Sequence, residues 1–226
     1  DFYAYAGLGG SVGAGQSYFL GLWDAEPLTD LVRIIVRNRE AQANMDGGMA
    51  RLGKPLYRWF HRRRANTRER ARDNISAHYD LGNAFFEHVL DPDLCYSSAI
   101  YPDADADLAT AQRHKLDVIC RKLRLGPEDH LLEIGTGWGA LAVHAAARYG
   151  ARVTSTTLSR EQYEAARERV RAAGVEDRVT LLTADYRELE GRYDKLASVE
   201  MVEAVGHEYL PGYFERIGEL LEPDGL

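Results

Sequence analysis

A parallel α/β fold is the class this sequence predicts, and three observations predict it. From residue 126 onward, short apolar runs alternate with longer amphipathic stretches, the rhythm of βαβ units whose helices cover both faces of one sheet. The run "HLLEIGTGWGALAVHAAARYG", residues 130 to 150, breaks into Gly135, Gly137 and Gly139 and then into small helix formers, as a strand does when it turns into a helix at a sheet edge. The next helix carries its own boundary signals, with Ser159 as cap, Gln162 to complete a capping box and Gly174 to close it.

Upstream of that core the elements are shorter. "LGGSVGAGQSYFLGLWD" (8 to 24) is Gly-rich and aromatic, too apolar for a linker and too broken for one long helix, so it reads as a packed turn region. "PLTDLVRIIVRNREAQAN" (27 to 44) sets Leu28, Leu31, Val32, Ile35 and Val36 near helical spacing behind Pro27, which suits a helix start. "MDGGMA" interrupts it. The basic stretch 54 to 72 is compatible with a helix, and "SAHYDLGNAFFEHVL" (76 to 90) puts Tyr79, Phe86 and Leu90 on one face. A loop rich in Asp and Pro, "DPDLCYSSAIYPDADADL", leads to a helix over 110 to 125 with Leu116, Ile119, Cys120 and Leu123 inward, stopped by Gly126 and Pro127. Strands are predicted at 130–134, 151–156, 178–183 and 194–200, with helices at 138–148, 160–173 and 207–221.

Composition narrows the function classes. A hydrophobic fraction of 45% in 226 residues supplies a core for one large or two modest domains. No apolar stretch nears the roughly 18 residues of a membrane span and no secretory leader is visible, so a soluble, cytoplasmic protein is expected. Asp1 at one end and "PDGL" at the other suggest a piece of a longer chain. Cys95 and Cys120 stand without CxxC or histidines at ligand spacing, so neither a disulfide framework nor a metal site is predicted. The formal charge of −7 disfavours nucleic acid, yet residues 51 to 72 hold nine Lys or Arg against Glu69 alone, interleaved with Tyr57, Trp59 and Phe60. That composition suits a segment lying on an anionic phospholipid surface; the competing reading is a solvated helix face packed on an acidic neighbour.

Ligands of open parallel sheets sit at the carboxyl ends of the strands, where glycines let backbone and ligand approach closely. A dinucleotide site prefers G-x-G-x-x-G with an acid about 20 residues on, at the tip of the second strand. Here the loop is G-T-G-W-G and the second strand ends "VTSTTLS", without a carboxylate. Glu133 precedes the loop, Asp185 follows the third strand and hydroxyls occupy the second strand's tip. This arrangement suits one adenosine and one amino-acid head without a pyrophosphate, which describes S-adenosylmethionine (SAM).

"LLEIGTGWGALAVHAA", "VTSTTLSREQ", "ADYREL", "SVEMVEAVGHEYLPGYF" and, upstream, "HYDLGNAFFEHVLDPDLCYSSAIYPD" together resemble the cyclopropane-fatty-acyl-phospholipid synthase family and its mycolic-acid cyclopropane synthase relatives. The segment "GGSVGAGQSYFLGLWD" resembles that family's small N-terminal domain. The resemblance implies a Rossmann-like SAM-dependent methyltransferase fold, incomplete at its C-terminus, with a helical lid and a small helical or mixed N-terminal domain. It divides the chain into part of the N-terminal domain (1–60), a basic linker and lid (61–125) and the SAM-binding core (126–226).

Carried over position by position, the resemblance implies that Tyr96 and Ser97 close over the cofactor. Gly135 and Gly137 would contact its methionine portion, Thr157, Leu158 and Gln162 the ribose side, and Asp185 with Tyr186 the adenine. Glu203 matches the glutamate that holds a bicarbonate ion in the family, with the Val199 backbone beside it. Ser98 stands where the family has a cysteine and would offer a hydroxyl to that anion. The competing reading makes Glu203 a surface-facing charge at the helix start, and Glu200 all the more so if the strand ends early; His207 and Tyr209 read as structural. The implied activity is methyl transfer to the cis double bond of a phospholipid acyl chain, with bicarbonate removing the proton that closes a cyclopropane and Tyr96 or Phe85 easing the positive charge. The implied setting is peripheral, at the inner membrane face; a homodimer is compatible with it. Methylene- or methyl-branched products, or a small-molecule methyl acceptor, are the alternatives.

Overall fold

The structure, a computed structural model, describes residues 2–38 and 83–226, and the chain divides into two units, residues 1–65 and 66–226. The basic stretch 51–72 and the residues His78 and Tyr79 lie outside the described residues.

In the first unit, α1 (Phe2–Phe19) is helical where a packed turn was expected. It is two short helical stretches folded at Gly10, whose φ of 58° and ψ of −140° only glycine adopts readily. The stretches cross closely enough that a β-carbon on Gly13 would overlap the Tyr5 carbonyl. Trp23 fixes the return: its Nε1 donates to the Ala14 carbonyl (3.1 Å) and the Ser17 hydroxyl (2.8 Å), and its ring lies against Phe2 and Tyr18. Helix α2 (Leu28–Arg37) starts behind Pro27 as expected, and none of its residues is buried among those described.

The second unit opens with α3 (Asn83–Val89), which buries Phe86. Helix α4 (Leu108–Lys122) begins at Asp107, whose carboxylate accepts from the Thr110 amide at 2.7 Å. It buries Leu116 and Cys120, with Ile119 and Leu123 half-buried against the same cluster. Its stop comes before Gly126: Arg124 takes a left-handed φ of 51°, and the amides of Arg124 and Leu125 turn back onto the carbonyls of Arg121 and Cys120.

Then follow β1 (His130–Ile134), α5 (Ala140–Tyr149), β2 (Arg152–Thr156), α6 (Arg160–Ala172), β3 (Val179–Leu182) and β4 (Lys195–Ala197). The four strands form one parallel sheet in the order β3-β2-β1-β4, with Leu131 opposite Val153 and Lys195. Successive side chains alternate between its faces. Leu131, Val153, Val179 and Ala197 join residues of α4 and α5 on one face; Leu132 and Ile134 join Tyr213 and Leu220 of α8 (Leu210–Leu220) on the other. Helices thus cover both faces, as the alternation predicts. Strand β4 ends three residues short of the expected Glu200. Beyond Ala197, Ser198 donates its hydroxyl to the Ile134 carbonyl (3.1 Å) and pairs with the Tyr213 hydroxyl (2.5 Å), and Glu200 turns the chain at φ 48°. The single helix expected over 207–221 is a 3₁₀ turn at His207–Tyr209 followed by α8, with Pro211 in the first turn of α8, and a short helix that was not expected, α7 (Val202–Val205), precedes them.

Both cysteines are buried, and burial pushes their thiols up to about 12.

Candidate functional site

The three glycines of the loop after β1 do different work. Gly135 and Gly137 have φ of 101° and 52°, and the amides of Gly135 and Thr136 both donate to the Thr156 carbonyl at 3.0 Å, pinning the loop to the tip of β2. A β-carbon on Gly137 would meet no atom within 4 Å, so this turn faces open space. Gly139 (φ 88°) has a packing duty instead, since a β-carbon there would stand 3.0 Å from that of Ala166 on α6. Trp138, buried between them, donates from Nε1 to Asn83 Oδ1 (2.9 Å) and packs on Phe86, which packs in turn on Tyr96. This aromatic chain fastens α3 and the loop after it to the glycine turn. Sequence reasoning missed the Asn83 and Trp138 contact; a lone Trp inside a glycine turn is the signal that points to it.

Around the turn, polar side chains are enclosed and paired. Glu133 lies wholly inside, where burial pushes its carboxyl up to about 8 against the hydrogen bond that Ser155 donates at 2.5 Å; Ser155 also reaches Thr136 Oγ1 (2.7 Å). Thr157 donates to Gln162 Oε1 at 2.9 Å and accepts from the Ser159 amide at 3.1 Å. The capping box is therefore modified: Ser159 Oγ accepts from the Gln162 amide (3.2 Å) as expected, but the Gln162 side chain serves Thr157. Leu158 is half-buried beside them. Asp185 is buried and both its oxygens accept from the Arg187 side chain, at 2.7 and 2.6 Å. The Oδ1 atom also accepts from the Arg187 amide at 3.0 Å. Tyr186 is buried edge-on against Tyr213.

Opposite the turn, Ser98 meets Glu200. The Ser98 amide (2.7 Å) and hydroxyl (2.6 Å) both donate to Glu200 Oε1, and these bonds, with the charge of Lys115 adding to them, hold the carboxyl below its usual range. The neighbouring Met201 places its Cγ 3.7 Å from where a Gly135 β-carbon would be, so the Glu200 segment overlies the loop. The hydroxyl expected to face an anion held by Glu203 is thus engaged by Glu200, and Glu203 is exposed on α7. Glu200 is exposed, as the early end of β4 suggested, and pairs with Ser98. Val199 is half-buried against the core; Tyr96 and Phe85 are exposed.

These residues fit a nucleoside sulfonium donor: an open, positive-φ turn at the carboxyl edge of a parallel sheet, a hydroxyl-bearing second strand tip and an acid after the third. Comparison with known proteins agrees. The profile described as "Mycolic acid cyclopropane synthetase" matches residues 66–226. The chain belongs to that family. It is 40% identical over 228 residues to the tuberculostearic acid methyltransferase UfaA1 of Mycobacterium tuberculosis, covering 97% of this chain and 52% of that protein. It is 36% identical over 228 residues to the cyclopropane-fatty-acyl-phospholipid synthase of Escherichia coli K12, covering all of this chain and 57% of that one. Among solved structures, the mycolic acid cyclopropane synthase CmaA1 complexed with SAH and CTAB superposes with a TM-score of 0.66 at 34% identity, covering 68% of this chain and 54% of that chain. Coclaurine N-methyltransferase bound to N-methylheliamine and SAH superposes with a TM-score of 0.61 at 27% identity, covering 66% and 43%. The family's fold is that of SAM-dependent methyltransferases, and this chain spans about half the length of the relatives it matches.

Proposed function

We propose that the full-length protein is a SAM-dependent C-methyltransferase acting on the cis double bond of an unsaturated phospholipid acyl chain. The observation that carries this is the open Gly135–Gly137 turn overlain by the Glu200 segment, to which Ser98 is tied by two hydrogen bonds. Gly135, Gly137, Thr157, Leu158, Gln162, Asp185 and Tyr186 would hold the donor, with Tyr96 and Ser97 closing over it. The donor supplies an electrophilic methyl group. The residues around it have to align the alkene and keep water from the cation left on the acyl chain. Tyr96 and Phe85, both exposed, can turn a ring face to that charge, worth about 1 kcal/mol or more when desolvated.

Two readings of the proton acceptor follow. In the first, bicarbonate is the base, anchored by Glu203 with Ser98 and the Val199 backbone, as the resemblance implies. In the second, the Glu200 carboxylate is the base; it faces the same Ser98 hydroxyl, and the two hydrogen bonds from Ser98 lower its basicity. A proton taken from the transferred methyl carbon as that carbon bonds to the neighbouring cation closes a cyclopropane. If a 1,2-hydride shift first moves the cation to the methyl-bearing carbon, loss of the same proton leaves a methylene branch, and loss from a chain carbon leaves a methyl-branched alkene. Residues 51–72 would bring the protein to an anionic bilayer from its cytoplasmic side.

The test supplies SAM and vesicles of dioleoyl phospholipid to the full-length protein and follows SAH release and lipid mass. A gain of one CH₂ on the acyl chain is expected, and no SAH release would overturn the proposal. Retained activity in bicarbonate-free buffer, together with a loss of about 100-fold or more in Glu200→Gln but not in Glu203→Gln, selects Glu200. The opposite pattern selects bicarbonate.

A further inference from the structure

The segment carrying Tyr96, Ser97 and Ser98 has no helix or strand of its own, yet it supplies two hydroxyls to the site. Its supports lie behind it. Buried Asp91 accepts from the amides of Cys95 (2.8 Å) and Asp93 (3.0 Å). Gln112 and Lys115, three residues apart, share one face of α4. Gln112 Nε2 donates to the carbonyls of Cys95 (3.2 Å) and Ser97 (2.8 Å), and Lys115 Nζ donates to Ser97 Oγ at 2.5 Å.

Lys115 is the unusual member. It is only 4% exposed, and its one hydrogen bond among the described residues goes to a neutral hydroxyl. Burying an ammonium costs several kcal/mol, and an apolar residue would fill the same face of α4 without that cost. Burial pulls its pKa below the usual lysine range, opposed by Cys95, Glu200 and Asp91. So costly a group on a helix face that also buries Ala111, Gln112, Leu116 and Cys120 points to a task at its tip.

We infer that Lys115 is a positioning residue of the transfer site: it locks the Ser97 hydroxyl and, through the Ser97–Ser98 peptide, fixes the two-point hold of Ser98 on Glu200. This rests on the methyl-transfer reading above. The link runs from Lys115 Nζ to Ser97 Oγ, along one peptide, and from the Ser98 amide and hydroxyl to Glu200 Oε1. Without the lysine, Asp91 and Gln112 would still grip the segment's backbone and Phe86 would still pack on Tyr96, but none of these holds the Ser97 hydroxyl.

The test compares Lys115→Met, Ser97→Ala and the double variant in the full-length protein. Each single change is expected to lower kcat per SAM-binding site by about 100-fold, with KM for phospholipid within about twofold. The double variant is expected to be no worse than either, because both remove one link. In Lys115→Met the Ser98 amide, sheltered by Glu200, is expected to exchange with deuterium about tenfold faster. If Lys115→Met does not fold, Ser97→Ala breaks the same bond from its other end and is read by the same two measurements. Unchanged Ser98 exchange overturns the inference, and so does a loss of thermal stability with kcat per binding site intact. If the unaltered protein transfers no methyl group while Ser98 exchange responds, the substrate reading falls and the positioning role stands.

Discussion

Glu133 sits enclosed at the tip of β1 with its carboxyl raised to about 8 by burial, so the folded state holds this proton more tightly than the unfolded chain does. Its contribution to stability is full below the usual glutamate pKa and is lost as pH rises through about 8. Glu133→Gln keeps the shape and the acceptor for Ser155 without the charge. Thermal melts should show that the variant flattens the fall in Tm between roughly pH 5 and pH 9. At Gly139, the left-handed φ and the 3.0 Å approach to Ala166 leave no room for a side chain, so Gly139→Val is expected to cost about 2–3 kcal/mol by denaturant unfolding. Gly135 and Gly137 were legible in the sequence because their left-handed backbone is local to one turn, whereas the contacts of Gly139 with Ala166 and of Glu133 with Ser155 are tertiary. The partner of Ser98 was not legible either: it lies 102 residues away, and the choice between Glu200 and Glu203 depends on where β4 stops. That stop is set by Ser198 reaching Ile134 and Tyr213, contacts that no periodicity reveals.

Among the elements, α6 shows what local chemistry determines. Its cap at Ser159 and its end before Gly174 follow from residue types that favour those backbone conformations. Ser159→Ala removes the acceptor for the Gln162 amide and is expected to cost about 1 kcal/mol, read as a drop in the midpoint of urea unfolding with an unchanged slope. Strands β1 and β2 were equally legible, since a strand covered on both faces is written as a continuous apolar or small-residue run. Two elements were not. Helix α1 was read as turns because glycine propensity argues against helix, and the close crossing of Gly13 over Tyr5, which makes use of those glycines, is a tertiary contact. On α4 the inward apolar residues were found, but buried Gln112 and Lys115 were not, because polar residues at helical spacing read as a solvated face.

For the molecule as a whole, charge is spread unevenly along the sequence. The net charge is −7, yet nine basic residues crowd into 51–72. The full-length protein is therefore expected to sediment with anionic vesicles and not with neutral ones, and to be released as salt shortens the screening length to about 3 Å near 1 M. Equal sedimentation with both vesicle types would remove the bilayer from the proposal. Among the described residues, no helix is long and apolar enough to cross a membrane. A practical consequence follows from the two enclosed thiols, Cys95 and Cys120. Held far from the thiolate form and out of solvent, they should ignore maleimides at neutral pH, so a cysteine engineered at an exposed position would carry a spectroscopic label alone, with no need to delete the native pair.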